Sequence, residues 1–405
     1  MSKTMWMLAL RNVTRNKRRT FLSLIAIAIA ALSIVLLLAV VEGMKIDLKK
    51  NLTDYYIGEV RIRNAQYNRY ERYHPLHLSV DQSIVETLKH TPLVTSYSQR
   101  VTFPSLLYKE EKTYSSVGIG IDMDKESSYA DFSSIISKGR LPNVGSFEIV
   151  MGSQLAQNLN LDVGDTITTL STTANRASNA ATWSIVGLVS FPVGSMNNSY
   201  FLAPLDTVQH FLSMEGKVQE ILLKVEGDEI VAAQELTTLF HNPSLVVEPF
   251  QHIQQLYELL ELSEKIYYLI SLFFVILAST VVINTTMMMV FERTQELGTL
   301  RALGLRPQKV HTLLSLEGLI LNTTGSLIGA LIGTLIALVL THTGIDFTEA
   351  LSGVDMEVSS IIYPVVYLKH IVFSWLFTLL ISTGAIIIST RKVTHKGITE
   401  SLRYV

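Results

Sequence analysis

The chain has 405 residues, of which 48% are hydrophobic and only 17% charged, with a mean hydropathy of +0.33 and a formal net charge of −2. This balance excludes a disordered chain and a basic nucleic-acid binder, and it fits a membrane protein that also carries a sizeable soluble part. The lack of any cysteine excludes a disulfide framework, thiol chemistry and a lipid-anchored N-terminal cysteine.

Residues 1–20 read as an amphipathic helix on the cytoplasmic membrane surface. Trp6, Met7, Leu10 and Val13 recur at helical spacing, with Arg11, Arg15 and Arg18 turned toward headgroups. The first transmembrane helix follows over 21–43. Its apolar run of about 20 residues reaches roughly 30 Å, too long for a signal peptide, and Glu42-Gly43-Met44 stands where a small-residue cleavage site would be. Ala26, Ala30 and Ser33 form a small-residue face, suited either to a neighbouring helix or to lipid.

Residues 44–262 contain no run long enough to span and read as a soluble domain of the α+β class. Strands are expected over 59–63, 147–151, 166–170, 183–189 and 220–225. Helices are expected over 80–89 and 229–240, capped by Ser79 and Asp228, and another behind Ser153. The polar stretch 171–182, with Ser171, Asn175, Arg176 and Asn179, reads as a mobile hairpin tip, either a partner-binding loop or a solvated turn. Segments 45–55 and 250–262 would extend the adjoining spans as stalk helices.

The second transmembrane helix covers 263–290, where Ser279, Thr280, Asn284 and Thr285 are polar at membrane depth. Asn284 is expected to bond to a neighbouring helix rather than to touch substrate. Segment 291–310 is dense in charge and broken by Gly298, Gly304 and Pro307; its arginines place it on the cytoplasmic side, as a docking segment or as a solvated loop. The third transmembrane helix, 311–341, carries Gly325, Gly329 and Gly333 at four-residue spacing, a face for close helix packing. Loop 342–365 has Asp346, Glu349, Asp355 and Glu357 but no Lys or Arg before the fourth helix, 366–390, as an outside loop should. Arg391, Lys392, Lys396 and Arg403 hold the tail, 391–405, inside.

Glu292-Arg293, Glu296-Leu297-Gly298 and Leu300-Arg301-Ala302-Leu303-Gly304 together resemble the E-R-x-x-E-I/L-G-x-L/M-R/K-A-L/I-G signature of the FtsX/MacB/LolE superfamily (type VII) of ABC-transporter permeases. The resemblance extends to Leu8-Ala9-Leu10-Arg11-Asn12-Val13 near the start and Ile398-Thr399-Glu400-Ser401-Leu402-Arg403 at the end, with Ile398 where the family has Pro. Within the soluble part it includes Glu148-Ile149-Val150-Met151-Gly152 and Val163-Gly164-Asp165. Ile57-Gly58-Glu59-Val60-Arg61-Ile62 is similar to the lipoprotein-releasing LolC/LolE branch, with Glu59 where that branch often has His.

The resemblance implies an integral membrane α-helical protein with four transmembrane helices and a large α+β periplasmic domain inserted between helices 1 and 2, in the bacterial inner membrane with both termini cytoplasmic. It implies that Glu292, Arg293, Glu296, Gly298, Arg301, Ala302 and Gly304 couple the chain to a cytoplasmic ABC ATPase dimer, which binds the ATP and Mg; no cofactor is expected on this chain. A second permease subunit (the same chain or a homologue), a periplasmic chaperone or adaptor, membrane lipids and a lipoprotein or other amphiphilic substrate are the further partners implied. The function implied is extraction of lipoproteins by mechanotransmission. A MacB-type efflux permease and an FtsX-like permease controlling a cell-wall hydrolase are the alternatives. No nucleotide-binding loop, zinc-protease motif or nucleophile elbow occurs, and His74 and His77 lack the partners of a metal site, so no catalytic or metal residue is expected.

Overall fold

Four helices long and apolar enough to cross a membrane, Thr20–Ile57, Leu260–Phe291, Pro307–Thr343 and Leu368–Lys392, stand out among the described residues of a computed structural model of the chain. It describes residues 3–15, 17–109, 112–192, 194–347 and 361–395. Two units divide the fold: Met1–Ile46, Ser263–Phe347 and Ile361–Val405 form a membrane unit, and Asp47–Leu262 with Thr348–Ser360 a second unit.

In chain order the elements begin with helices α1 (Lys3–Arg15) and α2 (Lys17–Leu52), strands β1 (Val60–Asn64) and β2 (Val80–Asp81), and helix α3 (Ile84–Lys89). Strands β3 (Val94–Lys109), β4 (Lys112–Ile121), β5 (Ile136–Gly139) and β6 (Glu148–Gly152) follow, then α4 (Ser153–Leu159), β7 (Thr166–Thr172) and β8 (Ser178–Val189). After α5 (Gly194–Ser199) come β9 (Tyr200–Pro204), α6 (Leu205–Leu212), β10 (Lys217–Val218), β11 (Glu220–Val225), α7 (Glu229–Phe240) and β12 (Leu245–Pro249). The chain continues through α8 (Gln254–Phe291), α9 (Thr294–Ala302), α10 (Pro307–Thr343), the short pair β13 (Ile345–Asp346) and β14 (Ile361–Ile362), and α11 (Leu368–His395).

The soluble unit mixes strands and helices as expected, but its strands close on themselves. β3 pairs β4, β4 pairs β9, β9 pairs β6, β6 pairs β8, β8 pairs β7 and β7 returns to β3. A closed ring leaves no edge on those six strands, and it needs one strand long enough to take part twice. β3 is that strand: Val94–Arg100 hold β11 while Leu106–Tyr108 hold β7. β11, β1 and β12 continue the sheet outside the ring. Inside, Phe103, Trp183, Phe201 and Phe211 pack edge to face, and the Trp183 Nε1–H donates to Thr169 Oγ1 at 2.8 Å.

Two caps fall elsewhere than expected. Helix α3 begins at Ile84, not near Ser79, because Val80 and Asp81 are drawn into a strand with β10 and the Asp81 carboxylate accepts from Ser83 N. Ser153 is the first helical residue of α4 rather than its cap; Gly152 takes that place with no side-chain bond. Asp228 caps α7 as the sequence suggests, accepting from Ile230 N and Val231 N.

In the membrane unit the glycine stripe of α10 packs on α2. A Cβ on Gly329 would lie 2.6 Å from Ala28 Cα, so only glycine permits this approach. Gly325 meets Ile27 and Leu24, and Gly333 meets Leu32 and Val35. The contacted face of α2 is therefore Leu24, Ala28 and Leu32, not Ala26, Ala30 and Ser33; Ser33 is exposed. On α11, Ser374 donates to the Ala31 carbonyl at 2.7 Å.

Candidate coupling site

Helix α8 stops at Phe291 and α9 starts at Thr294, whose hydroxyl donates to the Phe291 carbonyl at 2.7 Å. Leu297 and Leu300 seat α9 against Val290, Val310, Leu314 and Ile386. At its other end Leu303 N and Gly304 N donate to Thr299 O and Arg301 O, and Gly304 takes a φ of +94°, the left-handed value that ends the helix. Pro307 then opens α10 as its first residue.

The expected coupling residues fall into two groups. Glu292, Glu296, Ala302 and Gly304 are exposed and Arg301 is half-buried. Gly298 and Arg293 are buried. Leu303, which the signature contains but which was not singled out, is 81% exposed, an apolar knob on the turn.

Arg293 points inward. Its guanidinium forms an ion pair with Glu317 of α10, and its Nε donates to Glu296 Oε2 at 3.2 Å. The other oxygen of Glu317 accepts from Asn12 Nδ2 of α1 at 2.6 Å. Val13, Met289, Val290, Leu314, Leu321 and Ile386 surround this group. Glu317 and Asn12 were missed by the sequence reading, although Glu317 is the lone acid of the apolar run 311–340 and a carboxylate at such a place is a signal in itself.

Other expected positions fare differently. Asn284 is exposed, and no hydrogen bond from its side chain occurs among the described residues; the buried amide of the membrane unit is Asn322 of α10. The stretch 171–182 is mostly strand: β7 and β8 stay paired as far as Thr172 and Ser178, which shortens the tip to residues 173–177. Ser171 is buried and donates to the Pro104 carbonyl at 2.8 Å, while Asn179 Nδ2 donates to Phe211 O at 2.8 Å. Asn175 and Arg176 occupy the exposed turn, Arg176 with a φ of +63°. Ser171 is thus turned to its own domain, whereas Asn179 is exposed with its amide held by Phe211. Glu349, Asp355, Glu357, Lys396, Arg403 and the closing stretch 398–403 lie outside the described residues.

The soluble unit buries charge as well. Arg61 and Arg63 of β1 are 3% and 1% exposed, and each is paired with both Glu71 and Glu248 at 2.9–3.2 Å. Burial pushes the Glu71 carboxyl up, but the Arg63 hydrogen bonds and the charges of Arg61 and Arg63 outweigh it and hold it below its ordinary value. Glu59, the departure from the LolC/LolE pattern, accepts from Val225 N at 2.9 Å and so fastens the start of β1 to β11.

Comparison with known proteins bears on both units. The family model for the MacB-like periplasmic core domain matches residues 20–238, and that for the FtsX-like permease C-terminal region matches 268–398. The chain is 24% identical to the lipoprotein-releasing system transmembrane protein LolC of Neisseria meningitidis serogroup B over 301 residues, 70% of this chain and 72% of the relative. It is 25% identical to LolE of the same system in Haemophilus influenzae over 318 residues, 76% of this chain and 75% of the relative. The crystal structure of the periplasmic region of MacB from Actinobacillus actinomycetemcomitans superposes with a TM-score of 0.35 at 17% identity, covering 52% of this chain and 97% of that structure.

Proposed function

Because the chain belongs to the FtsX/MacB/LolE family of ABC-transporter permeases, subunits that work with an ATPase, we propose that it extracts lipoproteins from the outer leaflet of the inner membrane. They would be handed to a periplasmic chaperone or adaptor. In this reading both termini are cytoplasmic, and segment 291–310 meets a separate ATPase dimer that binds the ATP and Mg. A second permease subunit completes the transporter. Movement of the segment is passed outward to the soluble domain, so the substrate is lifted sideways from lipid and need not cross the bilayer.

One observation carries the coupling part of this reading. Glu292, Glu296, Ala302, Leu303 and Gly304 are exposed on one short, well-seated segment between two spans. An exposed leucine on a charge-dense segment suits a protein partner better than water. The choice of cargo rests on the names of the LolC and LolE relatives.

The test is a release assay. The permease and its cognate ATPase are placed in proteoliposomes holding a triacylated lipoprotein, and transfer to a soluble chaperone is followed with and without ATP. ATP-dependent transfer is expected, and Leu303→Asp should abolish it together with ATPase binding. A working ATPase complex that transfers nothing would overturn the cargo assignment in favour of efflux of another amphiphile or of signalling.

A further inference from the structure

A pair of buried charges needs no function beyond mutual neutralisation, but the group around Glu317 joins more than two charges. Glu296 on α9 holds Arg293 at 3.2 Å, Arg293 forms the ion pair with Glu317 on α10, and Glu317 accepts from Asn12 on α1 at 2.6 Å. Both carboxylate oxygens of Glu317 are engaged, each by a different part of the chain. The line of contacts starts at the exposed face of α9 and ends on α1.

Covalent connections alone would transmit a push on α9 poorly. The helix is flanked by two short non-helical joints, 292–293 before it and 303–306 after it. Arg293 itself has φ −96° and ψ 1°, outside the helix it caps. Force on a nine-residue helix hinged at both ends is lost in bending unless something else ties it to its surroundings. The apolar contacts of Leu297 and Leu300 permit sliding, whereas a desolvated ion pair with directional hydrogen bonds does not. Met289 and Leu321, which pack with Ile27, line the same small cavity as the pair, together with the hydroxyls of Thr20 and Ser23.

We propose that Asn12, Arg293 and Glu317 form a latch that makes α9, the third span and α1 move as one body when the ATPase acts. Asn12 and Glu317 are positioning residues: they act on the coupling segment through Arg293. The proposal rests on the reading of 291–310 as the segment that meets the ATPase; it does not depend on the cargo.

The latch is tested in the complete permease–ATPase complex with E317Q, N12A, R293E, E317R and the swapped pair R293E/E317R. The chain has no cysteine, so spin labels at M7C on α1 and T299C on α9 report the distance between those helices with and without ATP and vanadate. In the unsubstituted complex that distance stays single and narrow in both states. E317Q should broaden it and lower substrate moved per ATP by about tenfold, with ATP hydrolysis within about twofold, as expected for a lost buried charge pair. N12A should do the same by about threefold, and the swap should recover at least half of what either reversal loses. A narrow distance with undiminished coupling in both E317Q and N12A would overturn the latch. So would a swap no better than its single reversals in complexes that still assemble. If the reversals do not assemble, E317Q and N12A decide the matter alone. If the unsubstituted complex moves no lipoprotein, the cargo assignment fails while the distance measurement still decides the latch.

Discussion

The two units bury arginine–carboxylate groups in different ways. In the soluble unit Arg61 and Arg63 share Glu71 and Glu248, so each charge has two partners, and the Glu71 side chain keeps 44% of its surface in water. In the membrane unit Arg293 faces Glu317 with side chains 10% and 5% exposed, and Asn12 and the exposed Glu296 join the pair. The first arrangement is redundant and fixes one local fold, tying β1 to β12 and to the turn 67–73. The second is the more deeply buried on its acidic side and ties three separate helices. Removing one member should therefore matter far more in the second.

The largest effect is expected for Glu317→Ala, which takes from the buried Arg293 its most buried carboxylate and leaves it the half-exposed Glu296. The loss should be about 3–5 kcal/mol, read as a lower thermal midpoint of helical signal from the full chain in detergent. An unchanged midpoint would mean that water reaches the pair. Arg63→Ala should cost less, about 1–2 kcal/mol, since Arg61 still engages both carboxylates. Arg61→Ala with Arg63→Ala should then cost more than the sum of the two single changes. Fluorescence of the buried Trp183, with Trp6 and Trp375 replaced by Phe, isolates this unit, and strict additivity would break the argument from redundancy.

Acid should produce the smallest effect, and in the soluble unit. The Arg140 hydrogen bonds hold the Glu148 carboxyl at about 2, below its ordinary 4.5, and Glu71 is lowered as well. A carboxyl with a depressed folded-state pKa lends stability that is complete above its unfolded value and disappears as pH falls. The Trp183 midpoint should thus decline from pH 4.5 toward pH 2. Glu148→Gln should flatten that decline, only slightly because the pair is solvated. A profile unaffected by the substitution would show that the Arg140 pair contributes nothing.

What the sequence made legible and what it hid divide along physical lines. The stripe Gly325, Gly329, Gly333 is legible because close backbone approach demands a residue type, but its partner face is not. Any small or apolar face of α2 would have served, and Ala28 was chosen by three-dimensional fit. Segment 291–310 was legible as a family motif from its ordered residues, whereas the inward turn of Arg293 depended on a carboxylate 24 positions away in the next span. Strand β3, which organises the ring, went unread because Gln99, Arg100 and Pro104 interrupt any alternation of apolar and polar residues. Those residues are accommodated by tertiary contacts: Arg100 pairs with the buried Glu126, and the Pro104 carbonyl accepts from Ser171. Asn284 is exposed and has no hydrogen bond from its side chain among the described residues: an amide at membrane depth says that a partner is wanted and not which helix provides it.

The seat of Gly329 on Ala28 also sets a schedule for synthesis. The first span leaves the ribosome about 300 residues before the glycine that completes it. At about 5–20 residues per second that interval is roughly 15–60 s, during which a whole soluble domain must be made and exported. For that time the Leu24–Ala28–Leu32 face lies open in lipid, and the Gly325–Gly329–Gly333 stripe of a neighbouring chain is the competitor closest in shape. Assembly of this protein is therefore a race between the arrival of its own third span and capture by a stranger.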